Sequence, residues 1–176
     1  MLISSHFVRP FLILLLLGLG GCASLPKDAG DDAVRLSLAI ETLSPMVDPL
    51  EARRVAELLT RESLRLAETY RSVGPAWLQN VLVNSGFRER GLCYHWVNDL
   101  LTALESDEYR SLVFYRGGYA VGTFKEHNTL VIAPYGSSFE EGLVVDAWRY
   151  QGRLHWVRVV GDELDWEELL PASINP

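Results

Sequence analysis

Three side chains in this sequence have the types and spacing for nucleophilic catalysis. Cys93 opens the run CYHWVNDLLTAL, His127 stands in EHNTLVI 34 residues later, and Asp146 stands in GLVVDAW a further 19 residues on. A thiolate attacks a carbonyl carbon well. An imidazole, whose ordinary pKa lies near about 6.5, can take the thiol proton and return it to a leaving group. A carboxylate beside the imidazole fixes its tautomer. Each residue also has a structural reading. A cysteine can fill a core, a strand histidine can be a satisfied structural residue, and a strand-end carboxylate can face water. The order of the three, and the elements that carry them, point to acyl chemistry.

The nucleophile sits on a helix. Trp96, Val97, Leu100, Leu101 and Leu104 lie at +3, +4, +7, +8 and +11 from Cys93, so the cysteine opens the buried stripe of a helix over Cys93–Leu104. At the helix start, free N–H groups and the helix dipole favour the thiolate, while burial opposes it. The sulfur then needs a groove to reach substrate, expected beside Trp96 or Trp148. His127 begins a strand and alternates with Thr129, Val131 and Ala133. Asp146 lies in an apolar strand, where a carboxylate is costly without a partner. Neighbouring groups of a working Cys93–His127–Asp146 relay should lie within roughly 4 Å of each other. The Cys93 backbone N–H is one oxyanion donor, and Gln79, Asn80 or Asn84 is the candidate second donor.

Around these residues the chain reads as helices first and strands afterwards. Val34, Leu36, Leu38, Ile40 and Leu43 predict a first helix ending before Pro45. Asp48-Pro49-Leu50-Glu51 predicts a helix start in which Asp48 caps and Glu51 reaches back. A shorter helix is expected over 75–83, then an exposed turn over 87–90 between Gly86 and Gly91. Strands are expected over 112–115 and 119–124 about a Gly117-Gly118 hairpin turn, then over 129–133, 143–148 and 154–160. The fold class is α+β, with the Cys93 helix packed on an antiparallel sheet.

The motifs RGLCYHW over 90–96, EHNTLVI over 126–132 and GLVVDAW over 142–148 together resemble the bacterial transglutaminase-like branch of the papain-like superfamily. The resemblance covers residues 75–165. It implies Cys93 as nucleophile, His127 as general base and Asp146 as the orienting group, in a thiol peptidase, amidase or acyltransferase. Asn128 and Thr129 follow the histidine, and Ala147 and Trp148 the aspartate, where members often carry an aromatic residue and a Pro or Thr. A cell-wall amidase of the NlpC/P60 type shares the nucleophile logic, but its usual Asp-Cys-Ser-Gly surroundings are absent.

The first residues read as an address. Arg9 precedes an apolar run over 11–17, too short for the roughly 20 residues that span a bilayer. The ending Leu19-Gly20-Gly21-Cys22 resembles a bacterial lipobox, which implies cleavage before Cys22 and lipidation of its thiol. Residues 1–21 are then a signal peptide, 22–32 a lipidated tether, and 33–176 the domain. No Asp follows Cys22, so the expected location is the periplasmic face of the outer membrane. Lipid is then the membrane anchor, and a peptide, protein or peptidoglycan peptide is the substrate.

Composition removes other classes. The chain holds 16 basic and 23 acidic residues. Removing residues 1–21 takes one basic residue, Arg9, and leaves 15 against 23, a formal charge of −8. Nucleic acid is not an expected partner, because phosphate binding calls for a basic surface. Two cysteines exclude a disulfide framework and a four-cysteine zinc site. Neither a Gly-rich phosphate loop nor HExxH is present, so no cofactor is expected. His95 falls about 200° round its helix from Cys93 and should face away. His155 has no acid or thiol beside it in pattern, and a metal held by His95, His127 and His155 has no spacing signature. Trp77, Trp96, Trp148, Trp156 and Trp166 are core residues or the lining of a groove. The contrasting functional reading is a non-catalytic lipoprotein that uses the same fold for binding or assembly.

Overall fold

The computed structural model describes residues 27–169. The expected signal peptide, the expected lipidation site Cys22 and the beginning of the expected tether lie outside the described residues. Four helices precede an antiparallel sheet: α1 Lys27–Glu41, α2 Pro49–Thr69, α3 Ala76–Asn84 and α4 Cys93–Leu104. The strands are β1 Leu112–Tyr119, β2 His127–Pro134, β3 Leu143–Asp146, β4 His155–Arg158 and β5 Glu167–Glu168, in the order β4-β3-β2-β1-β5. The fold is α+β, as the succession of helical and alternating patterns predicts. Among the described residues no helix is long and apolar enough to cross a membrane.

α4 forms the centre. Trp96, Val97, Leu100, Leu101 and Leu104 are all buried, and they join Leu112, Phe114, Leu130, Ile132, Leu143 and Val145 of the sheet in one core with α1 and α2. Truncating one such leucine to alanine costs about 2–5 kcal/mol. The other face of the sheet carries a smaller cluster of Val131, Phe139, Val144 and Val159. β2 is therefore buried along its whole length.

Several local expectations are corrected. Residues 27–32 of the expected tether belong to α1, because Ala29, Asp32 and Ala33 are already buried. Asp32 pairs with Arg35, and with Arg153 at 3.5 Å. Asp48 does cap α2, accepting from the Leu50 N–H at 2.8 Å. Glu51 does not reach back; its buried carboxylate accepts the Arg110 and Ser111 N–H groups at 3.0 and 3.1 Å, tying α2 to the start of β1.

Gly117-Gly118 is not a turn. β1 runs through both glycines and pairs with β2 from Leu112↔Pro134 to Tyr119↔His127. A Cβ on Gly117 would stand 3.0 Å from Thr129 Cγ2 and 3.3 Å from the Phe139 ring, so this glycine serves close packing. Of the strand expected over 119–124, Tyr119 ends β1 and the rest is the connection to β2. Glu126 ties it together, accepting from the Gly122 N–H at 2.8 Å and from Asn128 Nδ2 at 3.0 Å. β3 stops at Asp146 rather than continuing to Trp148. The Asp146 side chain accepts the Trp148 and Arg149 N–H groups at 2.9 and 3.1 Å, which turns the chain.

Candidate functional site: Cys93, His127 and Asp146

His127 is the first residue of β2 and Asp146 the last of β3, so both lie at one end of the antiparallel sheet. The N-terminus of α4 abuts the same end, with Cys93 Sγ 3.9 Å from the Glu126 carbonyl. Cys93, His127 and Asp146 are 8%, 5% and 1% exposed. The expected relay residues are thus brought together.

His127 Nε2 and Asp146 Oδ2 are 2.7 Å apart and buried. The remaining ring nitrogen, Nδ1, is buried with no hydrogen-bond partner. Burial opposes charge on this ring, but the hydrogen bond to Asp146, the nearby Cys93 sulfur and the carboxylate's negative charge outweigh it and raise the His127 pKa to about 9. Trp148 and Trp166 flank the imidazole, with ring centroids at 4.7 and 5.4 Å, and hold it in place.

The Asp146 carboxylate uses both oxygens. Oδ1 takes the two backbone N–H groups, and Oδ2 takes His127 and the Arg149 guanidinium, whose Nε lies 3.2 Å away. Burial alone would raise this carboxyl. The His127 and Arg149 hydrogen bonds and charges win and hold it below the usual carboxylate range. Arg149 is not among the sequence candidates. Its position three residues after Asp146, across a turn, is the signal that marks it.

The loop leading into Cys93 is held by His95 and Trp96. His95, expected to face away from the sulfur, turns back to the residues just before α4. Its Nδ1 accepts the Gly91 and Leu92 N–H groups at 3.1 and 3.2 Å. The Trp96 indole Nε1–H donates to the Gly91 carbonyl at 3.2 Å. Trp96 is 1% exposed, so it anchors this loop from the core and lines no groove. Burial and the Arg90 charge lower the His95 pKa, which suits its role as a neutral acceptor. The Cys93 and Tyr94 N–H groups lie in the first turn of α4, where no carbonyl of the helix can reach them.

Of the candidate second oxyanion donors, Gln79 has its amide N–H committed elsewhere. Gln79 Nε2 donates to the Tyr70 and Arg90 carbonyls at 3.2 and 3.3 Å. Asn80 buries an unpartnered carbonyl oxygen, which is an acceptor, and Asn84 is exposed at the end of α3. The other tryptophans separate by role: Trp77 is exposed, and Trp156 packs on the core. His155 lies on β4 with its ring 5.6 Å from Tyr150. Among the described residues, no group of His, Cys, Asp or Glu is placed to hold a metal.

A buried thiol at a helix start, an imidazole with one nitrogen on a carboxylate, and unused N–H groups beside the sulfur can together perform acyl transfer. Comparisons with protein-family models, curated proteins and solved structures give no match for this chain.

Proposed function

We propose that this protein is a lipid-anchored thiol hydrolase or acyltransferase of the bacterial cell envelope. In this reading it acts on amide bonds and belongs to the transglutaminase-like branch of the papain-like superfamily. One observation carries the reading. His127 gives Nε2 to a saturated, buried carboxylate and keeps Nδ1 buried and unpartnered beside Cys93.

His127, its pKa raised to about 9, takes the Cys93 thiol proton on Nδ1 as general base and holds it. The thiolate attacks the amide carbonyl carbon, forming a C–S bond. The oxyanion is received by N–H groups at the α4 start. As the C–N bond breaks, the His127 proton passes to the leaving amine. A water then attacks the thioester carbonyl, giving its proton to His127 and expelling the Cys93 thiolate. An amine in place of that water would complete a transamidation. Water greatly outnumbers amines in the periplasm, so hydrolysis is the favoured outcome. The substrate is a peptide, a protein or a peptidoglycan peptide. Cys22, the acylated mature N-terminus in this proposal, holds the acidic body at the outer membrane.

The test is the pH dependence of iodoacetamide alkylation at Cys93, read by mass, in the wild type and in His127→Ala. The expected result is reaction below pH 7 in the folded wild type, slowed at least about tenfold at that pH in the variant. A thiol that reacts only after unfolding makes Cys93 a core residue, and the binding or assembly module replaces the enzyme.

A further inference from the structure

Arg116 stands on the α4 side of β1. It alternates with Leu112 and Phe114, which are fully buried in the core under α4. Its strand neighbour across the ladder is Leu130 of β2, three residues along from His127. The guanidinium reaches over to α4, where Nη2 donates to Asn98 Oδ1. The arginine is half-buried, yet among the described residues no carboxylate pairs with it.

This is unusual within this chain. Arg35, Arg53, Arg54, Arg65, Arg90, Arg149 and Arg153 each have an Asp or Glu partner. Of the arginines without one, Arg61, Arg71, Arg110 and Arg158 are exposed to water. Arg88 spends its donors on the Tyr70 carbonyl and Gln79 Oε1. Among the described arginines, Arg116 alone combines partial burial with a single neutral partner. Burial draws its pKa down, and the Cys93 sulfur opposes that. Through Asn98 the cation is held on α4 five residues along from Cys93, and its five-donor fork has one donor engaged.

A guanidinium held partly out of water gains most from an anion that matches its planar fork, and a carboxylate is that anion. We infer that Arg116 is a specificity-determining residue, which receives a carboxylate of the substrate close to the scissile carbonyl. The substrate class is then an acidic peptide amide. This inference rests on the reading of Cys93 as a nucleophile. It adds a substrate charge to that reading, and it accounts for a cation that the relay itself does not use. His127 faces the same sulfur and is also cationic, so the test must separate the two.

Iodoacetate and iodoacetamide make that separation. Both form an S–C bond to Cys93 with loss of iodide, and they differ by a carboxylate against an amide. The wild type is expected to react with iodoacetate roughly ten- to hundred-fold faster than with iodoacetamide, the range of a charge-assisted pair. In Arg116→Gln that preference should vanish while the iodoacetamide rate stays within about threefold. Arg116→Lys should keep part of it. An unvaried preference in Arg116→Gln overturns the inference and assigns the effect to His127. An equal fall with both reagents also overturns it, since Arg116 then acts on the sulfur and not on the ligand. A second measurement needs no variant: glutarate should protect wild-type Cys93 from iodoacetamide, and glutaramide should not. Equal protection, or none from either, overturns the inference. If folded Cys93 is inert to both reagents, the enzyme reading fails and takes this inference with it. If Cys93 reacts without a carboxylate preference, only the inference fails.

Discussion

Replacing Asp146 by asparagine tests the relay with almost no change of shape. Four donors converge on this carboxylate: the Trp148 and Arg149 N–H groups at 2.9 and 3.1 Å, His127 Nε2 at 2.7 Å and Arg149 Nε at 3.2 Å. In Asp146→Asn the amide oxygen must stay under the two backbone donors, because they define the turn that ends β3. The amide NH2 then lands opposite His127 and Arg149, both of which are donors. The clash is relieved if His127 gives up the Nε2 proton and keeps the one on Nδ1. That tautomer presents an N–H to Cys93 and has no lone pair there to take a proton. Turnover should fall roughly 10³- to 10⁴-fold, as for loss of the orienting carboxylate in a hydrolase triad. Stability should fall too, by roughly 3–5 kcal/mol, since a buried charged pair is broken on one side. The melting temperature should drop by roughly 10 °C. Iodoacetamide kinetics against pH, thermal melts and imidazole ¹⁵N shifts read the three effects separately. If Asp146→Asn melts earlier but keeps the wild-type alkylation profile and Nε2 protonation, the carboxylate only shapes a turn and the orienting role is wrong.

Two further predictions concern charge at the site and its approach. The His127 pKa is raised from 6.5 to about 9, so its stabilising contribution is complete below about 6.5 and is lost as pH rises through about 9. At roughly 1.4 kcal/mol for each pH step this amounts to about 3 kcal/mol. Chemical denaturation of wild type and His127→Gln from pH 6 to 10 should show the gap between them closing; a constant gap refutes it. In His95→Ala the Gly91 and Leu92 N–H groups lose their acceptor, at a cost of about 1–3 kcal/mol. Alkylation of Cys93 should slow more than the melt alone explains, whereas an unchanged rate would leave His95 no part in placing the nucleophile.

The helix carrying Cys93 was legible because all its information is local. Trp96, Val97, Leu100, Leu101 and Leu104 keep helical spacing, and all five are buried in the core. The hairpin was not legible, because Gly-Gly has two physical uses with one local signature. Glycine allows positive φ in a turn, and it allows close approach across a sheet. Which use applies at Gly117 depends on Thr129 and Phe139, twelve or more residues away in the chain. Glu51 was misread for a similar reason. Its spacing from Asp48 fits a capping box, yet its carboxylate is drawn to the Arg110 and Ser111 N–H groups.

The order of Cys93, His127 and Asp146 was legible, but strand parity gave no support to their meeting. His127 alternates with Thr129 and Val131, and Asp146 with Val144, and Val131 and Val144 belong to the cluster on the sheet face away from α4. Read strictly, that alternation sets both residues on the wrong side of the sheet from Cys93. Parity governs a side chain only while ladder partners hold its backbone on both sides. His127 begins its strand and Asp146 ends its own. The imidazole lies between Trp148, which packs on the core under α4, and Trp166, which packs on the opposite cluster. At the end of the sheet it can therefore meet a helix from one face and a carboxylate from the other. The same reasoning identifies Arg116, which lies inside β1 where parity does hold. It follows Leu112 and Phe114 on the face that α4 covers, and a charged residue at such a position needs a reason that packing does not provide.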